Sequence, residues 1–362
     1  MISGKSLTGI KSPSENMPYL MKKLPVSEFL RMSSVIPVID VRSAGEYIYG
    51  HIPGAVNIPL FDDRQRAEVG TVYRKKGSLA AVMTGLDLAA PEMSAKLQKA
   101  VEVAVEGEVL VHCWRGGMRS EAMAWLFSMA GISASTLEGG YKAYRNFILD
   151  DLGKERRFIL LGGLTGSGKT HILKYMSSVG VQVTDLEALA CHKGSAFGAL
   201  GQLPQPSSEH FANLLFADLQ ARDPDENIWL EDESRNIGTV FMPDNFFSVM
   251  QSSPVIALMM SIDTRMPRLL EEYAAFPAEM IKASILKISK RLGGDKTREA
   301  LDAVEKNDFS SAIRVTLEYY DKAYSYGLSK RRSGQMIIIK TDTDDVEINA
   351  GKILDAAASI RK

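Results

Sequence analysis

Two α/β domains in tandem, each built on a largely parallel sheet and the second interrupted by a helical insertion, are the fold class this sequence predicts. Three observations predict it. Short β-branched runs alternate with helix-period segments in the first half, the alternation restarts after a charged stretch at 150–157, and a long helical stretch interrupts it near its end. At a prior of roughly 150 residues per domain, 362 residues accommodate two or three such units.

In chain order, residues 37–41, 56–58, 109–112 and 134–137 read as strands, because β-branched side chains cluster there between turn formers. Segments 94–105 and 118–129 place apolar residues at helical spacing. The second half repeats this grammar, with strands predicted at 158–161, 181–184, 227–230, 255–261 and 336–340. Between the last two lies a mostly helical stretch, 266–326, broken at Pro277 and at Gly293-Gly294, and a closing helix is predicted at 346–360.

Composition narrows the class. Hydrophobic residues make up 45% and charged residues 24%, ordinary values for a globular chain, and no apolar run approaches the roughly 20 residues that cross a bilayer. Two cysteines make no disulfide framework, and no Cys or His cluster has zinc spacing, so a reducing, cytoplasmic setting without a membrane partner is expected. The net charge of −1 argues against a uniformly basic nucleic-acid binder. Locally, Lys and Arg outnumber Asp and Glu by 14 to 10 over 264–332, a surplus that an ordinary solvated helix face also produces.

Strand 109–112 runs into His112-Cys113-Trp114-Arg115-Gly116-Gly117-Met118-Arg119-Ser120, and a helix follows. At a strand's carboxyl end and a helix's amino end, successive N–H groups converge and the helix dipole favours an anion. Both effects lower the pKa of Cys113 and supply the thiolate that nucleophilic chemistry requires. Arg115 and Arg119 are expected to add positive charge, and Gly116 and Gly117 permit the φ > 0 turns of such a cradle. An isolated cysteine is ordinarily a small apolar residue, but these neighbours make a poor apolar core. Cys191 has no comparable surroundings and is assigned no role.

The run from Gly163 through Leu164, Thr165, Gly166, Ser167, Gly168 and Lys169 to Thr170 matches G-x-x-x-x-G-K-[ST] between a strand and a helix, the context that gives the motif its meaning. Backbone N–H groups there are expected to cradle a diphosphate, with Lys169 neutralising it and the Thr170 hydroxyl placed for Mg²⁺. Asp185 and Glu187 follow one strand, and Glu231 and Glu233 follow another, so all four are candidates for acid or metal-assisting roles at the carboxyl edge of the sheet.

Val38-Ile39-Asp40-Val41-Arg42 and Gly50-His51-Ile52-Pro53-Gly54-Ala55 resemble the amino-terminal signature of the rhodanese family, and Glu138-Gly139-Gly140-Tyr141 resembles its last turn. One departure stands out: Arg119 lies six residues after Cys113 where many rhodanese loops have five, and that spacing is shared with cysteine-dependent phosphatases. Taken with the phosphate loop, Asp185-Leu186-Glu187, the string from His192 to Gly198 and Glu233-Ser234-Arg235-Asn236-Ile237-Gly238, the chain resembles the tRNA 2-selenouridine synthase family from about residue 35 to about 340.

That resemblance implies a rhodanese-like α/β domain at 20–150, followed by a P-loop α/β domain at 157–362 with a helical insertion at about 264–330. It implies exchange of sulfur for selenium in wobble 2-thiouridine of tRNA through S-geranyl-2-thiouridine. Geranyl diphosphate and selenophosphate would be co-substrates, the latter open to delivery by its own synthase, with Mg²⁺ beside the diphosphate and no tightly bound organic cofactor. Arginines 64, 66 and 74 with Lys75 and Lys76, and the basic stretch 264–332, are the places to look for tRNA phosphate contacts, with Tyr73, Tyr319, Tyr320 and Tyr324 as stacking candidates. Two other classes stay open from the residues alone: a P-loop kinase or NTPase with a regulatory rhodanese module, and a cysteine-dependent phosphatase.

Overall fold

The computed structural model describes residues 22–329 and 336–360, so residues 330–332 of the basic stretch and the outermost ends of the two predicted domains lie outside the described residues. The chain divides between Asp150 and Asp151 into two compact units.

The first unit is built on five strands, β1 (Lys23–Leu24), β2 (Val38–Asp40), β3 (Val56–Asn57), β4 (Glu108–His112) and β5 (Ser133–Leu137), in the spatial order β1-β5-β4-β2-β3. Every pairing is parallel, so both sheet faces are covered and the central strands read as continuous apolar runs. Val109, Leu110 and Val111 are all buried. Helix Met118–Ser128 buries Met123, Ala124, Leu126 and Phe127, and each fully buried large side chain contributes about 1.5–3 kcal/mol. The register Asp40↔His112 aligns the carboxyl ends of β2 and β4, which sets the residues after both strands at one edge.

Helices Asp63–Lys76 and Ser78–Ala89 have no counterpart among the sequence expectations. The first carried a readable signal, because Asp62 accepts from the Gln65 backbone N–H at 2.7 Å and Gln65 Oε1 accepts from the Asp62 N–H at 3.0 Å, a complete capping box.

The second unit is built on β6 (Phe158–Gly163), β7 (Ile228–Glu231), β10 (Val255–Met259) and β11 (Met336–Lys340) in the order β11-β10-β6-β7, all parallel, with a small antiparallel pair, β8 (Asn236–Ile237) and β9 (Val240–Phe241). The strand expected at 181–184 is reduced to a single parallel bridge, Val183↔Trp229. Asp185 ends it by capping the next helix, accepting from Ala188 N at 2.7 Å, so the chain turns before a ladder can grow. Likewise, Ser261 leaves β10 to cap helix Ile262–Ala274, accepting from Thr264 N at 3.1 Å.

Between β10 and β11 the chain forms helices Ile262–Ala274, Ala278–Lys287, Ser289–Leu292, Gly294–Glu305 and Phe309–Ser329, around a core that includes Leu269, Ile285, Val304 and Leu317. Breaks fall at Pro277 and at Gly293 (φ 88°), and another at Asn307, whose φ of 57° is a conformation asparagine tolerates better than most residues. Helix Val346–Ala358 packs onto the sheet through Ala350, Ile353 and Ala357.

Candidate functional site

Each unit places a glycine-rich loop at the carboxyl end of a central strand. In the first, Cys113 follows β4 and helix Met118–Ser128 follows the loop. Backbone-to-backbone packing holds the loop's shape: Gly116 has φ 66°, and a Cβ there would lie 2.8 Å from Gly140 N and 2.9 Å from Gly139 N. Tyr141 N donates to Cys113 O at 2.8 Å and Lys142 N to Trp114 O at 2.9 Å, so the Glu138–Tyr141 string is a brace for the cysteine loop.

Cys113 is recessed, only 3% exposed, with Ser120 Oγ 3.2 Å from its sulfur. Burial pushes the thiol up. The Ser120 hydroxyl, the charge of Arg119 and the backbone N–H groups of Ser120 and Arg115 outweigh it and hold the pKa below that of an ordinary cysteine. The two arginines therefore differ from the expectation of a pair of flanking cations. Arg119 acts through its charge while paired with Glu46 Oε2 at 3.1 Å, whereas Arg115 is exposed and reaches the sulfur through its backbone. Replacing Ser120 by alanine removes a stabiliser of the thiolate. The inflection of the rate-against-pH curve for iodoacetamide alkylation of Cys113, read by peptide mass, is expected to move to higher pH.

Beneath the loop, Asp40 and Arg42 form a buried ion pair at 2.6 Å, and the guanidinium also donates to Gly50 O at 2.7 Å and stacks 3.7 Å over the Tyr141 ring. Burial would raise the Asp40 carboxyl, but the Arg42 contacts help to keep it below the usual range. Burial lowers His112 to about 4, so at neutral pH its 3.7 Å approach to Asp40 is a contact of a neutral ring and not an ion pair. Arg42→Met would leave the Asp40 charge buried and unpaired, and a loss of about 3–5 kcal/mol in denaturant unfolding is the expected result.

In the second unit, Lys169 opens helix Lys169–Ser178 after the Gly163–Gly168 turn, with Gly166 and Gly168 at φ 79° and 76°. Ser167 Oγ is buried with no partner among the described residues, and Lys169 Nζ donates to Gly163 O at 2.9 Å. The loop opens into a cleft of about 350 Å³ that also takes in Lys174, Lys193, Arg268 and an apolar wall containing Leu269, Tyr273 and Phe276. Phe197 packs against Tyr273 with ring centroids 4.9 Å apart and planes tilted by 33°, so the His192–Gly198 string, closed by Lys193 N donating to Gly198 O at 2.9 Å, builds part of that wall.

The four carboxylates separate into two pairs. Glu187 and Glu233 line the cleft, and Thr170 Oγ1 donates to Glu187 Oε2 at 2.9 Å. Burial raises both, and repulsion from Glu187 helps push Glu233 up to about 8, so Glu233 holds a proton at neutral pH although part of it faces the cleft. Glu231 and Asp185 stand outside the cleft lining. Glu231 is fully buried, held well above the carboxylate range by burial, and accepts from Leu186 N at 2.8 Å; Asp185 is the helix cap described above. Among the described residues, no group of three or more His, Cys, Asp or Glu side chains forms a metal cluster.

Sequence reasoning did not single out Arg265 and Arg268. Arg265, 1% exposed, donates to Thr165 O at 2.7 Å and holds Asp321 with two bonds of 3.0 and 2.6 Å, bracing the phosphate loop from the insertion. Arg268 lies over Gly168 closely enough that any Cβ there would overlap its guanidinium. Of the tyrosines, Tyr320 and Tyr324 line the cleft, with Tyr320 Oη accepting from Ala196 N at 3.0 Å, while Tyr73 is exposed beside Arg74.

Comparison with known proteins agrees with this pair of loops. The profile of the rhodanese-like domain matches residues 26–147, and that of the tRNA 2-selenouridine synthase AAA domain matches residues 156–352. A tRNA 2-selenouridine synthase of Nitrosomonas europaea is 32% identical over 82% of this chain and 90% of its own length. The chain belongs to the tRNA 2-selenouridine synthase family. Two further members, from Shewanella frigidimarina and Shewanella pealeana, are 34% and 33% identical over 85% and 89% of this chain and 93% and 96% of theirs. The rhodanese-like match spans the Cys113 loop and the AAA match spans the phosphate loop. Among the described residues, no helix is long and apolar enough to cross a membrane.

Proposed function

We propose that this chain converts wobble 2-thiouridine of tRNA to 2-selenouridine in two steps, one in each unit. The observation that carries the reading is the presence, in a member of this family, of two separately built anion cradles: a phosphate loop joined to an apolar wall, and a cysteine loop that lowers its thiol pKa.

In the first step geranyl diphosphate lies with its diphosphate on the 163–170 loop and its hydrocarbon chain along Leu269, Tyr273 and Phe276. The thiocarbonyl sulfur attacks the allylic C1; the S–C bond forms, the C–O bond breaks, and the base loses its N3 proton. The leaving diphosphate gains charge where Lys169, the backbone amides and Arg268 concentrate positive potential. The nearby donors are oxygens, the Thr170 hydroxyl and the Glu187 carboxylate, a set that fits Mg²⁺, and these two residues would hold it. When bound, the ion would neutralise diphosphate charge.

In the second step S-alkylation has made the sulfur a better leaving group. The Cys113 thiolate attacks the phosphorus of selenophosphate, so that the S–P bond forms, the P–Se bond breaks and hydroselenide is released in the cradle. The hydroselenide adds to C2; the C2–Se bond forms, the C2–S bond breaks, the alkylthiolate departs and the selenium's proton returns to N3. Water then hydrolyses the S–P bond to give phosphate and the free thiolate. The cradle that stabilises a thiolate suits any chalcogen anion at the same place. Cations on the exposed face of helix Asp63–Lys76, among them Arg64, Lys75 and Lys76, supply tRNA phosphate contacts. Incubation of 2-thiouridine tRNA with the protein, geranyl diphosphate and selenophosphate should yield 2-selenouridine on nucleoside mass analysis; unchanged 2-thiouridine with folded protein would overturn the reading.

A further inference from the structure

The first unit holds an apolar pocket that neither step above has used. About 660 Å³ in volume, it lies between helices Asp63–Lys76 and Ser78–Ala89. Its buried lining includes Leu60, Phe61 and Ala89, members of the same apolar cluster as Cys113. One wall is Met118 and Ala122, from the helix that the cysteine loop opens into. Small residues, Gly70, Ala81 and Gly85, leave the space unfilled. Tyr73, Leu86 and Met118 are 60, 56 and 64% exposed around it, a concentration of apolar surface that marks a binding face more often than a solvated one.

Charge specifies the ligand. Arg66, Arg74 and Arg119 also line the pocket. Arg66 and Arg119 share a single carboxylate, Glu46, at 2.7 and 3.1 Å, and Arg74 has no carboxylate partner among the described residues. Three guanidinium groups against one carboxylate leave a cationic rim around a hydrocarbon-lined space. The matching ligand is a hydrocarbon chain joined to a polyanion.

We propose that this pocket receives the alkyl chain of the S-alkylated base in the second step, while phosphates of the same RNA lie on the arginine rim. The assignment rests on the two-step reading above and adds a substrate-selecting site to its second half. It gives a physical reason for the order of the steps: RNA that has not been alkylated lacks the group that docks beside Cys113.

The test uses the full chain and two anticodon stem-loop RNAs, identical except for 2-thiouridine or S-geranyl-2-thiouridine at the wobble position. The wild-type protein is expected to bind the geranylated RNA at least about tenfold more tightly, because a chain buried by several methylenes gains that much. Gly70→Phe fills the space; a Cβ at Gly70 meets nothing within 4 Å and the residue has ordinary helical φ, so the ring enters without backbone strain. It should abolish the preference while leaving affinity for 2-thiouridine RNA and geranyl transfer unchanged. Gly70→Leu gives a smaller filling if the ring lowers the melting temperature. No preference in the wild type, or an undiminished one in folded Gly70→Phe and Gly70→Leu proteins, overturns the assignment. Failure of the two-step reading shows separately, as absence of geranyl transfer from geranyl diphosphate to the thio-RNA, a measurement that does not involve this pocket.

Discussion

Replacing Lys169 by alanine is expected to slow geranyl transfer to 2-thiouridine RNA by about 10²–10³-fold, the usual cost of removing one preorganised stabiliser of developing negative charge. The ammonium group is held at the mouth of the loop by its 2.9 Å bond to Gly163 O, in a cleft that has Leu269, Tyr273 and Phe276 along one wall. In the proposed first step the diphosphate gains charge as the C–O bond breaks, so the loss should fall on the turnover rate more than on the affinity for geranyl diphosphate. Selenation of RNA supplied already geranylated should be unaffected. A variant equally deficient in both reactions would mean that the phosphate loop serves the selenium step as well.

Cys113→Ser is the complementary variant. Starting from S-geranylated RNA and selenophosphate, formation of 2-selenouridine is expected to fall by on the order of 10³-fold or more, as removal of a nucleophile from a built cradle commonly does. A hydroxyl in the same place is far less acidic than a thiol, so the stabilisation that Ser120, Arg119 and the backbone N–H groups of Ser120 and Arg115 give an anion has nothing to act on at neutral pH. The 2.6 Å Asp40–Arg42 pair and the Tyr141–Cys113 backbone bond do not depend on the sulfur, so the fold and its unfolding midpoint should hardly change.

Both loops were legible in the sequence because each is a contiguous string whose chemistry depends on its own backbone. Cys113 with Gly116, and Gly163 through Thr170, declare their conformation locally, whereas Gly117, expected to share the φ > 0 turn, has φ −114°. What the string could not show is how distant residues partition the work. Arg265 reaches Thr165 across 100 residues of chain, and nothing near it in sequence marks it as a brace for the phosphate loop. Glu187 and Glu231 look alike as acids after strands, yet one lines the cleft and the other is fully buried, accepting from Leu186 N at 2.8 Å.

Elsewhere the limits were those of period and length. Residues 181–184 have the apolar β-branched character of a strand, but the cap at Asp185 stops the ladder at one bridge. Helix Asp63–Lys76 buries no residue completely and so carries little apolar periodicity, and helix Ser78–Ala89 buries only the small residues Ala81, Gly85 and Ala89. The pocket they enclose was invisible for the same reason: it is defined by small residues that leave room, and Gly70, Ala81 and Gly85 spell no motif.

The nucleoside left by Cys113→Ser protein tests most directly whether the two cradles serve successive steps. With 2-thiouridine tRNA, geranyl diphosphate and selenophosphate all present, mass analysis should find S-geranyl-2-thiouridine accumulating and no 2-selenouridine. Unaltered 2-thiouridine, from a variant shown to be folded, would contradict the division of labour.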